Sequence, residues 1–136
     1  MVKKMDVAQK MVQEEKFVPS VIEPSFGIGR ILYSIMEHCF RMRDESRTYL
    51  LLPPKMAPVK CSILTVQNDP EFSPLIESIR KLLTKRGISS RVDNGNQSIG
   101  KRYARTDELG IPFALTIDKD SLQDNAVTLR EIEHMQ

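Results

Sequence analysis

The chain has 136 residues, 40% of them hydrophobic and 28% charged, enough to bury one core and too few to require two. No run approaches the ~18 apolar residues of a membrane span. The stretch Met1 to Lys16 is charged throughout and lacks the apolar centre of a signal peptide, while Cys39 and Cys61 are too few for a disulfide scaffold and too far apart for a metal pair. A reducing, intracellular setting follows, cytoplasmic or organellar.

The predicted elements open with an extended run, Pro19 to Phe26, closed by the corner Gly27-Ile28-Gly29. A helix follows over Ile28 to Arg41, with Ile28, Ile31, Leu32, Ile35, Met36, Cys39 and Phe40 at helical spacing, the pattern of a continuous buried stripe. Met42 to Ser46 turns charged, and Leu50 to Pro58 carries Pro53, Pro54 and Pro58, which neither continue a helix nor donate to a sheet. A domain boundary is therefore expected near Arg47, dividing 1–46 from 47–136. Beyond it, strand and helix alternate. Val59 to Val66 reads as a buried strand, and Ser73 is the expected cap of a helix whose apolar face is Leu75, Ile76, Ile79, Leu82 and Leu83, with Gly87 as its C-terminal cap. Ile88 to Asp93 is a second strand, Ser98 to Gly110 a weakly amphipathic helix, Pro112 to Asp118 a third strand and Val127 to Glu133 a fourth, after a polar turn over Asp120 to Asn125. This order predicts a right-handed α/β unit on a largely parallel sheet, its ligand-facing loops following Val66, Asp93 and Asp118.

The net charge of +2 is unevenly spread. Arg80, Lys81, Lys85, Arg86, Arg91, Lys101, Arg102 and Arg105 face Asp93 alone between 80 and 105, while the segment after Thr106 is acidic. Such a basic block is either a set of solvated helix faces or a footprint for a polyanion. Within it, Lys101 and Arg105 lie one turn apart, Arg102 adjoins Arg105, and Tyr103 adds a flat ring, a combination suited to single-stranded RNA. Tyr103 packed in the core with Ile99, and Arg105 paired with Glu108, is the structural alternative. Arg30 falls in the first helical turn, where the helix dipole opposes it, so an anion or a ring in front of it would account for its position. His38 and Cys39 lack further ligands nearby and read as peripheral and core residues.

The run Glu23-Pro24-Ser25-Phe26-Gly27-Ile28-Gly29-Arg30 resembles the third signature motif of class II aminoacyl-tRNA synthetases in its glycyl-tRNA synthetase form. The resemblance extends over Phe17 to Glu37, Ala57 to Val66 and Ser98 to Asp118, including Ser98-Ile99-Gly100-Lys101-Arg102-Tyr103-Ala104-Arg105-Thr106-Asp107-Glu108-Leu109-Gly110. It implies an anticodon-binding-domain-like mixed sheet flanked by helices (47–136), preceded by a strand–helix remnant of the catalytic domain (1–46). It further implies that Glu23, Pro24 and Ser25 hold glycine, that Gly27, Gly29 and Arg30 meet ATP, and that the helix bearing Lys101, Arg102 and Arg105 faces tRNA(Gly). The parent reaction, ligation of glycine to tRNA(Gly) with ATP and Mg²⁺ by a cytoplasmic, or also mitochondrial, homodimer, also follows from the resemblance. The first and second signature motifs do not precede Val18, so the resemblance implies that this chain alone is inactive in glycine activation, with no cofactor bound. It also implies a further strand and helix beyond Gln136. A noncatalytic nucleic-acid-binding module derived from a synthetase, such as a polymerase accessory subunit, is the alternative.

Overall fold

The structure, a computed structural model, describes residues 10, 11 and 13–133. The charged N-terminal stretch up to residue 9 and the last three residues lie outside the described residues, so the expectations made of them are not addressed by it.

Helix α1 (Ile28–Cys39) runs directly into β1 (Phe40–Asp44), which pairs antiparallel with β2 (Arg47–Leu50). The sequence reading expected helix through Arg41 and no hairpin. The turn closes because Asp44 Oδ1 accepts from both the amide (3.0 Å) and the hydroxyl (2.7 Å) of Ser46, an Asx-type turn that needs no glycine. These bonds, from the hydroxyl first, hold the Asp44 carboxyl below its ordinary pKa.

The four-stranded sheet has the order β4-β3-β5-β6, with β3 (Cys61–Thr65), β4 (Ser90–Asp93) and β5 (Phe113–Ile117) parallel and β6 (Thr128–Glu131) antiparallel on the edge. The expected α/β unit on a mixed sheet is thus present. Every residue of β3 is buried, as a central strand covered on both faces requires. From β3 the chain crosses to β4 through α2 (Ser73–Lys85), then back across to β5 through α3 (Ile99–Glu108). Right-handed crossovers in opposite directions put the two helices on opposite faces. On one face, Leu75, Ile76, Ile79 and Leu83 of α2 pack on Ile63, Phe72 and Ile117. Leu82, expected on that face, is exposed.

Two details of the helix ends differ from one another. The start of α2 is not capped by Ser73: a 3₁₀ turn (Pro70–Phe72) precedes it, and Asp69 caps that turn by accepting from the Glu71 amide at 3.0 Å. The C-terminal ends match the expectation. Gly87 (φ +70°) follows α2 with bonds from its amide to Thr84 O and from the Ile88 amide to Leu83 O, the paired pattern of a left-handed C-cap. Gly110 (φ +66°) repeats it after α3, and its missing Cβ would stand 2.8 Å from Leu52 Cδ1. A short helix, α4 (Asp120–Asp124), occupies the expected polar turn, held by Ser121 and Asp118, whose carboxyl is lowered chiefly by the Ser121 amide.

The stripe on α1 is the main correction. It is not buried: Ile28 is 83% exposed, and Ile31, Leu32, Met36 and Phe40 are also open to solvent. The extended residues before the helix are exposed as well and pair with no strand, so nothing among the described residues covers this face. Only Cys39 and Ile35 are partly shielded, beside Pro53 and Met56 of the connector.

Cys61, by contrast, is 4% exposed, and burial pushes its thiol up to about 11. The folded state therefore favours the neutral thiol. Its contribution to stability is intact below the ordinary value of 9.0 and is lost as pH rises from there through about 11. The thermal midpoint is expected to fall across that window, and Cys61→Ala to flatten the fall. Under native conditions near neutral pH, alkylation read by mass spectrometry should label Cys39 before Cys61; equal labelling would contradict the burial.

Candidate functional site

The second face of the sheet mixes polar and apolar residues. On it lie Ser62, Leu64, Ala114, Thr116 and Arg130, and against it α3 turns Arg102, Thr106 and Asp107, all buried. Thr106 Oγ1 bonds Arg102 O at 3.0 Å and lies 3.4 Å from Ser62 Oγ, and the Tyr103 hydroxyl bonds Thr116 Oγ1. A buried helix face this polar survives because nearly all of its groups find partners, Arg102 Nε being the exception.

Arg102 is the first of these. It is 3% exposed; its guanidinium donates to Thr65 O at 2.6 Å and to Asp93 O, and Nε lies 3.6 Å from the Asp93 carboxylate. One side chain thus ties the C-terminal ends of β3 and β4 to α3. The sequence reading placed Arg102 with Lys101 and Arg105 on an RNA-facing surface. The structure corrects this: Arg102, a turn of about 100° on from Lys101, faces the sheet and is buried, with both terminal guanidinium nitrogens donating inside the protein and Nε left without a hydrogen-bond acceptor.

Asp107 is the second. Arg130 grips its carboxylate from β6 with two bonds, 2.8 and 2.9 Å, and Arg43 approaches from β1 at 3.5 Å. The paired carboxylate raises the Arg130 pKa. Arg43 also donates to Ile132 O at 2.7 Å. Each guanidinium lies over a ring, Arg130 over Tyr103 at 4.9 Å and Arg43 over Tyr49 at 4.7 Å. This cluster welds the hairpin, α3 and β6 together. It escaped the sequence reading because its members lie far apart in the chain, and charged residues separated so widely leave no periodic signal.

Lys101 and Arg105 are exposed, one turn apart, and line a shallow groove with Gln97, Ala104 and Glu108. No ion pair joins Arg105 to Glu108 among the described residues, and Tyr103 is held on the interior side by Thr116 and Arg130. The two cations are therefore free to meet an anion from solvent. The loops after β3, β4 and β5 do gather at the strand C-terminal edge, where Asn68 Nδ2 donates to Asn96 Oδ1 at 2.9 Å and the Val66 amide bonds Ile117 O.

The residues of the run Glu23 to Arg30 are not assembled into one pocket among the described residues. Glu23, Pro24 and Ser25 lie on the exposed extended run, and Arg30 is exposed in the first turn of α1. Neither Gly27 nor Gly29 has a positive φ, and no other element comes within 4 Å of a Cβ built on Gly29. Among the described residues no cluster of three or more His, Cys, Asp or Glu could hold a metal ion, so these residues do not fit a magnesium site by themselves. Arg30, flat and unpaired beside a bare helix start, does fit a nucleotide ring or phosphate.

A mixed sheet of this order, with helices on both faces, defines a three-layer α/β domain, here with an exposed basic helix edge. The chain belongs to the anticodon binding domain family, whose model matches residues 60–136. It is similar to the glycine–tRNA ligase of Bombyx mori, 52% identical over 130 residues, covering 93% of this chain and 18% of that protein. The glycine–tRNA ligase 2 of Saccharomyces cerevisiae is 45% identical over 134 residues, covering 97% of this chain and 21% of its own length. The chain thus spans about a fifth of the length of the relatives it matches. Among solved structures, the prolyl-tRNA synthetase of Cryptosporidium parvum complexed with L-proline and AMP shares the fold, with a TM-score of 0.61 at 22% identity over 64% of this chain and 19% of that one.

Proposed function

We propose that this chain is the tRNA-gripping part of a glycine–tRNA ligase, and that Lys101 and Arg105 contact the phosphates of tRNA(Gly). The observation that carries the reading is the segregation on α3: these two cations stay in solvent without partners while Arg102 is consumed inside. Cations one turn apart along an exposed helix edge suit a phosphate backbone and give affinity without sequence preference. The double variant Lys101→Ala, Arg105→Ala should bind a tRNA(Gly) transcript more weakly. The slope of log affinity against log salt should fall by roughly 1.4–1.8, since each of the two lost phosphate contacts removes about 0.7–0.9. An unaltered slope in a folded variant would remove the RNA contact from this edge.

The activity of the whole protein is part of the same reading. Glu23, Pro24 and Ser25 would enclose glycine, the carboxylate of Glu23 suiting its ammonium group. Gly27, Gly29 and Arg30 would face the adenine and terminal phosphate of ATP, Arg30 stacking flat on the ring. Both roles need walls that these residues do not build by themselves, which accords with the exposure of the apolar stripe on α1. Magnesium, a homodimer and a cytoplasmic, or also mitochondrial, location belong to that whole protein. A division near Arg47 would separate β1 from its partner β2, which begins at Arg47: β1 continues α1 without a break, while Arg43 is bonded to Ile132 O beyond β6. The hairpin is thus the coupling between the two parts.

A further inference from the structure

Of the asparagines in the chain, Asn68, Asn94, Asn96 and Asn125, only Asn94 precedes a glycine. It lies in the loop between β4 and α3 and is exposed. An asparagine before glycine is prone to cyclise, because no side chain on the next residue screens that residue's amide nitrogen. The Gly95 nitrogen bonds to Cγ of Asn94 and the Cγ–Nδ2 bond breaks. Ammonia leaves, carrying the proton of the Gly95 amide. Water then opens the succinimide ring to aspartate or isoaspartate, with no other reactant.

The fold obstructs this step. Attack requires the Gly95 amide to give up its proton and to turn toward the Asn94 side chain. Here that amide donates to Asp93 Oδ1 at 2.8 Å, an Asx turn that fixes the chain from Asp93 to Gly95. The same turn explains the glycine: φ is not positive there, but a Cβ on residue 95 would stand 3.0 Å from that oxygen. Asp93 is itself held. Its carboxylate, 11% exposed, lies 3.6 Å from Arg102 Nε, and its carbonyl accepts from the Arg102 guanidinium. The glycine that the turn demands therefore creates a reactive pair, and the carboxylate that closes the turn restrains it.

We propose that Asn94 is a deamidation site guarded by Asp93, closed while the Asp93 carboxylate holds the Gly95 amide and open to conversion when this loop loosens. The product places a second carboxylate beside Asp93, and isoaspartate also adds a carbon to the main chain, which breaks the geometry of the turn. Loosening at the end of β4 is thereby recorded as a covalent change.

Conversion is read by peptide mapping with tandem mass spectrometry, in the chain and in a synthetic peptide of Arg91 to Lys101, at physiological pH and temperature. The peptide should convert at Asn94 ahead of Asn96. The folded chain should convert at Asn94 about ten-fold more slowly, the effect of one hydrogen bond to a charged acceptor on local opening. Asp93→Ala removes the acceptor and should bring the rate toward that of the peptide. Asp93→Asn takes the same charge from Arg102 but keeps an oxygen for the Gly95 amide, and should stay several-fold slower than Asp93→Ala. Equal rates in the unaltered chain and the peptide would overturn the guard, as would equal rates in the two variants. A peptide that does not convert at Asn94 would overturn the site. Should Asp93→Ala fail to fold by circular dichroism, exchange of the Gly95 amide in the unaltered chain tests the same bond. Protection is expected, and exchange as fast as in the peptide would overturn the guard.

Discussion

Arg102→Ala is expected to destabilise the chain by about 3–5 kcal/mol, the range for breaking a buried charged pair. The cost has two parts. The Asp93 carboxylate, 11% exposed, loses the cation beside it, and the carbonyls of Thr65 and Asp93 lose their donors at the ends of two strands. Unmade hydrogen bonds of buried groups are expensive because no water replaces the partner. Arg102→Lys should rescue little, since a single ammonium lacks the flat fork that reaches two carbonyls on different strands. Lys101→Ala and Arg105→Ala should each stay within about 0.5 kcal/mol of the unaltered chain, as exposed substitutions do. Urea denaturation of the three single variants measures this ordering. Equal stabilities would mean that Arg102 is not the clamp the geometry describes. The ordering also bears on the proposed RNA contact: alanine at all three positions would mix lost stability with lost surface charge and could not separate the two.

The misplacement of Arg102 shows where sequence reading stops. Position along a helix is legible as period, but period assigns faces only when the buried face is apolar. On α2 it is, and Leu75, Ile76, Ile79 and Leu83 were assigned to the core correctly; on α3 the buried face is Arg102, Thr106 and Asp107, so the helix read as weakly amphipathic and its inside looked like its outside. The strand and helix order was legible because β3 and β5 are short apolar runs between turn residues, and the positive φ at Gly87 and Gly110 was announced by glycine after the last helical turn. The hairpin was not. Its turn uses Asp44 and Ser46 rather than Asn-Gly, and its inward Arg43, which lies over the Tyr49 ring, is bonded to residues more than fifty positions away. The stripe on α1 is the converse case: the period marks an apolar face, and apolar character alone does not bury it, since no described residue covers it.

Of the two charged clusters, the one at Asp107 bears on how the parts of the protein are joined. β1 follows α1 without a linker, so whatever fixes β1 also orients α1 and the motif residues before it. The hairpin has few apolar contacts with which to hold the lobe, and Phe40 and Met42 are exposed. Arg43, with bonds to Asp107 and Ile132 O, is its chief polar attachment, and Leu50 and Leu52 against Gly110 are its apolar one.

Asp107→Ala should therefore loosen the hairpin and weaken the whole domain. Two guanidinia, with side chains 18% and 12% exposed, would be left around an empty position and would repel each other. An unpaired buried charge makes this a loss of about 3–5 kcal/mol, which lowers the thermal midpoint by roughly ten degrees or more for a chain of this size. Arg43→Met should cost much less, because Arg130 keeps both of its bonds to the carboxylate and the methionine retains part of the packing on Tyr49. The double variant Asp107→Ala, Arg43→Met should then recover part of the stability lost in Asp107→Ala, since one of the two stranded cations is gone. That non-additivity is the signature of the shared carboxylate. Amide exchange gives the second readout: in Asp107→Ala the Leu51 amide, bonded to Cys39 O at 2.7 Å where the hairpin meets α1, should lose protection before the amides of β3 do. Additive effects, or loss of protection spread evenly over the sheet, would show that the hairpin is held by something other than this triad.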